Sequence, residues 1–295
     1  MKNIFKKLFL LCLLVSGNLL FAQQQNNYTF YRQNLNLFNP AAAGTDTLTT
    51  LTGIYRNQWE GVKEAPESQA FTFATPIGKR VGLGISFEND RTFVEKQTAI
   101  FADFSYQLPM SEELNLYLGL KAGGNFYDVN TSGIETWNYQ ADPALVNLSR
   151  FNPNVGVGAY LKHENFYLSF SAPRIFTTER AKEEEGMVTT AADRPHFYLS
   201  GGYDFRLSNS LLFKPSVMLR YVKGAPVSAD FTALMNIVNT FEVGAAYRTD
   251  KAVSGLALIT VLDWLRFGYA YESSLRSEVQ NVNNGTHELL LKFLL

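Results

Sequence analysis

Hydrophobic and polar positions alternate with period two along most of this chain. In Leu114–Gly123, the positions Leu114, Leu116, Leu118, Leu120 and Ala122 alternate with Asn115, Tyr117, Gly119, Lys121 and Gly123. Val81, Leu83, Ile85 and Phe87 alternate with glycine and serine, and Ile100 to Leu108, Phe241 to Tyr247 and Leu265 to Tyr271 repeat the pattern. A strand sends successive side chains to opposite faces, so this period marks strands with one apolar face. Fourteen such runs can be drawn: Thr49–Arg56, Gln69–Thr75, Arg80–Asn89, Gln97–Leu108, Leu114–Tyr127, Asn154–Lys162, Asn165–Ala172, His196–Leu207, Leu211–Val222, Val227–Ile237, Thr240–Arg248, Val253–Leu262, Trp264–Glu272 and His287–Leu295. Pro215 sits inside the ninth. Proline cannot donate to a ladder, so a bulge or a shorter strand is expected there.

The connections sort by length. The odd-numbered ones include all the long segments, among them Asn57–Ser68, Asp128–Pro153, Pro173–Pro195 and Ser273–Thr286. The even-numbered ones are tight, as at Pro76–Lys79, Pro109–Glu113, His163–Glu164, Ser208–Ser210 and Val238–Asn239. Long loops at one end and short turns at the other are the pattern of an outer-membrane barrel. A Greek-key sandwich has no reason to produce it. The fold class predicted is therefore all-β, an outer-membrane antiparallel barrel of about 14 strands with a short periplasmic N-terminal arm. Tyr221, Tyr247 and Tyr271 close outward runs at the outer rim and Tyr106 lies near the periplasmic rim, as interfacial girdles require.

The N-terminus divides the chain. Residues 1–22 read as a cleaved signal peptide: Lys2, Lys6 and Lys7, then an apolar stretch from Leu8, then Ala22 before the cut. Residues 23–48 lack alternation and form the arm or plug, and residues 49–295 form the barrel. The single cysteine, Cys12, lies in the signal, which excludes disulfides and thiolate chemistry from the remainder. After Ala22 no apolar run is long enough for a membrane-spanning helix.

Composition then sharpens the class. Charged residues are 18%, aromatics 14% and the net charge is -1. No basic excess exists for nucleic acid. A mean hydropathy of -0.09 looks soluble, but a barrel averages a lipid-facing parity with a polar one.

The inward parity carries Glu88, Asp103, Lys121, Lys214, Arg220, Asp230, Arg266 and Glu272. With both signs present, it reads as a lumen of paired charges or as a polar pore. A barrel of this size needs a plug, a constriction or water inside. The histidines are His163, in a periplasmic turn, and His196 and His287 near the outer rim. Neither His287-Glu288 nor Ser200 gives a recognisable catalytic spacing. Gly156-Val157-Gly158 falls mid-strand and reads as small lumenal packing. Glu183-Glu184-Glu185 reads as a solvated outer loop. No cofactor or metal site is predicted.

The arm Tyr31-Arg32-Gln33-Asn34-Leu35-Asn36-Leu37-Phe38-Asn39-Pro40-Ala41-Ala42-Ala43-Gly44 resembles the opening of the PorP/SprF-like membrane proteins of the type IX secretion system. Tyr55-Arg56-Asn57-Gln58-Trp59, Ala65-Pro66, and Leu83-Gly84-Ile85 followed by a turn centred on Asp90 match the family's further signatures, and similar spacing runs on to Glu288-Leu289-Leu290-Leu291. The chain departs from the pattern at Leu294-Leu295, where barrels commonly end in an aromatic, a role left to Phe293. The resemblance implies a non-enzymatic outer-membrane protein that assists secretion or surface anchoring of a large adhesin. The adhesin's sorting domain would dock on the outer loops, and periplasmic secretion-system components would meet the arm. It singles out Asn39, Pro40, Ala41, Gly44, Arg56, Gln58, Trp59 and Pro66, as partner-binding residues or as parts of a plug and a rim. A porin or hydrophobic-solute transporter is the rival reading, and a rim lipase or acyltransferase using His196 or His287 a third.

Overall fold

In the computed structural model the described residues are 27–132, 147–179, 192–276 and 284–295. The expected signal segment, residues 1–22, and Glu183-Glu184-Glu185 lie outside them. Fourteen antiparallel strands close into a barrel. They are β1 (Thr50–Asn57), β2 (Glu67–Ile77), β3 (Val81–Thr92), β4 (Glu95–Pro109), β5 (Asn115–Val129), β6 (Leu148–Lys162), β7 (Phe166–Ala172), β8 (His196–Tyr203, resuming at Phe205–Ser208), β9 (Leu211–Val222), β10 (Ser228–Ile237), β11 (Phe241–Arg248), β12 (Ala252–Leu262), β13 (Leu265–Ser274) and β14 (Thr286–Leu294). Each strand pairs with its sequence neighbours, and β1 pairs with β14 to leave no edge.

Alternation located these strands because their outward faces have no protein to cover them. Ile85, Leu120, Phe170 and Val243 stand exposed on the outer wall. Contiguous apolar surface on this scale is stable only against lipid. Tyr106 marks one rim and Tyr221, Tyr247 and Tyr271 the other. At the periplasmic rim Phe293 stacks on Trp264 at 6.0 Å, so the last aromatic of β14 belongs to the girdle.

Three details differ from the sequence expectations or resolve them. Asp90 does not centre a turn. It lies in β3 opposite Ser68 and Gln97, and the chain reverses at Phe93–Val94. The strand continues because its polar end is paired across the sheet: Glu67 faces Arg91 and Lys96 faces Asp128. β6 starts six residues earlier than its apolar pattern, since a strand beyond the membrane needs no apolar face. Pro215 keeps its place opposite Ala233. The irregularity falls on the partner: β8 breaks at Asp204, between the Gly202–Ser216 and Phe205–Phe213 pairs, and Asp204 N–H turns to the carbonyl of Asn165.

The arm is folded into the lumen. It makes a 3-10 turn at Tyr31–Asn34, one α turn at Leu35–Phe38 and a second 3-10 turn at Pro40–Ala42. One side carries aromatics. Tyr28, Phe30, Tyr31 and Phe38 pack with inward Met218, Leu234, Leu256 and Leu290 into a dry core. The lumen is thus partly apolar, which the polar-lumen reading did not anticipate. The other side presents backbone to strands stripped of side chains. A Cβ on Gly158 would lie 1.9 Å from Asn39 Oδ1, and one on Gly119 would lie 2.1 Å from the Ala41 nitrogen. Gly158 of the Gly-Val-Gly run is therefore a seat for the plug, while Gly156 makes room for the Pro173 backbone. Valine at Gly158 or Gly119 should unseat the arm while the barrel still forms. Limited proteolysis in detergent should then cut between residues 28 and 46, where the native chain resists, and an uncut arm in both variants would refute the seating.

Candidate functional site

The plug is held by buried charge. Glu288, 1% exposed, accepts the Thr29 N–H at 2.8 Å and the Phe30 N–H at 2.9 Å. Its counter-charge is Arg56 at 2.8 Å. Arg56 also reaches Glu272 at 2.7 Å, Glu272 meets Arg248 at 3.1 Å, and Arg248 meets Asp230 at 2.6 Å. Arg220 closes the series on Asp230. Three arginines and three carboxylates thus alternate in the order of contact Glu288–Arg56–Glu272–Arg248–Asp230–Arg220, on β14, β1, β13, β11, β10 and β9. The intervening β12 contributes Ser254, which donates to Glu272. Inside a low-dielectric wall each carboxylate requires its arginine, because an unpaired ion there is strongly disfavoured.

The arm then descends toward the periplasm. The Tyr31 hydroxyl donates to Ser216 at 2.9 Å, and Arg32 pairs with Asp204 in the break of β8. Asn39 is the pivot between the α turn and the second 3-10 turn. Its Oδ1 accepts from the Ala41 N–H at 2.9 Å, and its Nδ2 donates to Ser169 at 2.8 Å and to the Ala159 carbonyl at 3.0 Å. Pro40 takes the first position of that turn, where its fixed φ helps and its missing N–H is not needed. Gly44, at φ 63°, turns the chain against Gly82. Asp46 ends the arm at the periplasmic mouth, 3.3 Å from Lys162 and 3.6 Å from Lys292. Burial opposes its ionisation, and the two ammonium groups outweigh that, holding the carboxyl below the usual carboxylate range.

Above the plug lies a vestibule of about 570 Å³. Leu37 and Phe38 form its floor, and Phe101 and Tyr198 line its lower wall. The outer turns supply Trp59 and Phe93 at the mouth. Two cations in the wall are committed: Lys121 to Asp103 at 3.0 Å and Arg174 to Glu88 at 2.8 Å.

Comparisons with known proteins agree on fold and family. The family model for the type IX secretion system membrane protein PorP/SprF matches residues 20–293. The chain belongs to the PorP/SprF family. Among solved structures, the outer membrane protein Omp33 of Acinetobacter baumannii superposes with a TM-score of 0.50 at 9% identity, covering 85% of this chain and 100% of that one. The NanC porin gives 0.45 at 7% identity, covering 84% and 100%. At such identities the likeness shows the barrel alone. No curated protein gives a significant match. The chain is an outer-membrane barrel of the type IX secretion system.

The residues singled out by resemblance do not converge on one point. Asn39, Pro40, Ala41 and Gly44 form the plug's descending half. Arg56 lies across the lumen in the charge series. Gln58 donates its N–H to the Pro66 carbonyl at 2.9 Å and closes the first outer turn, from which Trp59 projects. The plug links the first two groups, since Arg56 holds Glu288 and Glu288 holds the start of the arm. All the inward charges expected are on the lumenal parity, and Arg248, Glu242 and Glu288, not counted among them, share it. Their parity within Phe241–Arg248 and His287–Leu295 was the available signal. Ser200 is buried on the lumenal side of β8. His287 faces outward, bonded to Tyr269 at 2.8 Å and Glu60 at 2.9 Å, on the opposite face of the wall from Ser200, whereas His196 shares the lumenal face of β8 with Ser200, four residues along the strand. Among the described residues no cluster of metal-ligating side chains occurs.

Two outcomes are expected of this PorP/SprF barrel. Arg56→Met leaves Glu288 and Glu272 short of a partner and should cost about 3–5 kcal/mol. Arg56→Met combined with Glu288→Gln should recover part of that loss in urea unfolding followed in detergent, and additive losses would show that the two are not coupled. Asp46→Asn should lower the heat-unfolding midpoint slightly at neutral pH, as expected of a partly exposed pair. A depressed carboxyl stabilises above its unfolded value, near 3.9, and that contribution fades as pH falls toward the lower folded value. The gap between native and variant should therefore close in acid, and a gap independent of pH would contradict the pairing.

Proposed function

We propose that this barrel is a non-enzymatic outer-membrane component of the type IX secretion and gliding system. It assists secretion or surface anchoring of a large adhesin, whose sorting domain docks on the outer loops. The observation that carries this reading is the filled lumen. The arm spans the barrel from Glu288 on β14 to Ser105 on β4 and Lys162 on β6, and its Tyr31, Asn39 and Ala41 are completely enclosed. A barrel sealed this way is suited to bearing load and poorly suited to passing solutes, which favours the anchor over the porin. Long outer loops supply adaptable surface on a rigid support. Periplasmic secretion-system components would meet the barrel at the arm's exposed end, where Asp46, Thr47 and Leu48 emerge. Most of the arm is buried and cannot serve that contact without leaving the lumen.

Planar-bilayer recording from the purified chain separates the two readings. The anchor predicts silence, and a steady open conductance would favour the porin. Deletion of the gene should abolish surface display of one large adhesin and re-expression should restore it. Unchanged display of every large adhesin would refute the anchoring role.

A further inference from the structure

The periplasmic foot of the plug holds more cations than it pairs. Arg266 on β13 stands directly opposite Lys292 on β14, both on the lumenal parity. Like charges opposite one another in a sheet repel. Lys292 donates to the Gln33 carbonyl at 3.1 Å and lies 3.6 Å from Asp46. Arg266 is exposed to the mouth and makes no hydrogen bond or ion pair among the described residues. It feels the charge of Glu242, but that carboxylate is bonded to Lys214 at 2.8 Å and to Asn236 at 3.0 Å. Arg32 gives one terminal nitrogen to Asp204 and lies over the Tyr167 ring at 5.5 Å. Its other terminal nitrogen, Nη1, is enclosed with no hydrogen-bond partner among the described residues.

Two cavities of about 130 Å³ each share Arg32, Gln33 and Lys292 in their linings. One adds Lys214, Glu242 and Arg266. The other adds Asp46 with Asn34 and Asn36, whose Nδ2 atoms are also enclosed and unbonded among the described residues. With the partners of these groups included, five cations (Arg32, Lys162, Lys214, Arg266 and Lys292) face three carboxylates (Asp46, Asp204 and Glu242). The surrounding turns do not add to this excess. There Lys79, Arg80 and Arg206 are outnumbered by Glu112, Glu113, Glu164, Asp263 and the terminal carboxylate, His163 is bonded to Glu113, and none of these lines either cavity. The positive excess is local to the foot of the plug. Water can satisfy enclosed donors, but it leaves adjacent cations in a low-dielectric wall unbalanced. A small oxyanion does both. A cavity of this size holds roughly four waters, room for one such group and below the range of pockets that enclose whole organic ligands. We propose that the foot of the plug is a binding site for a small oxyanion, a carboxylate or phosphate group, held between Arg266, Lys292 and the spare nitrogen of Arg32. The site lies at the mouth opposite the outer loops and is independent of the adhesin role.

The test uses the barrel with its arm in phosphatidylcholine nanodiscs, with heat unfolding followed by tryptophan fluorescence. The probes are sodium phosphate and an acetylated, amidated peptide carrying two aspartates, each compared with sodium chloride at equal ionic strength. One or both should raise the unfolding midpoint by a few degrees more than chloride. Arg266→Gln, at an exposed position, should weaken the binding about tenfold or more, and Arg266→Lys should keep part of it. Without the probe, Arg266→Gln should unfold no lower than the native chain, because the repulsion with Lys292 is gone, whereas an arginine with a merely structural role would lower the midpoint when removed. Asp46→Asn, which frees Lys292, should tighten binding, and Arg206→Gln in the turn should leave it unchanged. A response to phosphate alone supports the site and assigns it to the free ion. A response to the aspartate peptide, absent with its asparagine counterpart, supports it and assigns it to a carboxylate on a polypeptide. If neither probe exceeds chloride, the cavities hold water only and the site is overturned. A response as large in Arg266→Gln as in the native chain overturns it as well.

Discussion

The carboxylate of Glu288 is the constraint on which the architecture turns. It sits in the lumenal wall of the last strand, enclosed, and takes two backbone N–H groups from the start of the arm and one guanidinium from the first strand. A buried carboxylate needs both kinds of partner, hydrogen-bond donors and an opposite charge. Here the donors come from the plug and the charge from the closing seam. Plug, seam and the arginine series on β9–β13 are therefore parts of one electrostatic arrangement.

Around that point the lumen is organised like the interior of a soluble domain. One half is aliphatic and aromatic, with Phe30 set against Leu256, Leu258 and Leu290. The other half is glycine and small polar side chains in contact with the arm's backbone. Strands facing lipid on one side and a core on the other need apolar residues on both faces. This explains why Ile54, Leu234 and Leu290 point inward although neighbouring strands carry charges there.

The strands were legible because the bilayer imposes a strict rule on one parity. Every lipid-facing position must be apolar, so Leu118, Leu120 and Phe104 announce their strands, and the loop-length sorting announces closure. The rule ends where the membrane ends. Asp90 and Leu148–Pro153 read as turn or loop, yet they are strand held by cross-strand pairs that sequence alone does not reveal. The plug was visible as missing alternation and as the stretch that carries the family resemblance, neither of which shows where it sits. Its seats, Gly119 and Gly158, look like any small lumenal residue until the arm is placed against them. Arg56 and Trp59 were marked by family resemblance alone. Glu288 was quoted within that resemblance and discounted as a catalytic neighbour of His287. That it would bind Thr29 and Phe30, 259 and 258 residues away, is a property of the closed circle.

The position of Glu288 on the last strand also bears on the order of assembly. The arm is made first and the strand that locks it is made last. Until β14 arrives, Thr29 and Phe30 lack their acceptor and Arg56 lacks one of its carboxylates. If β14 arrives with the arm absent, Glu288 keeps Arg56 but lacks its two backbone donors. Closing the circle and seating the plug are then coupled in free energy, since each brings a partner to the same carboxylate.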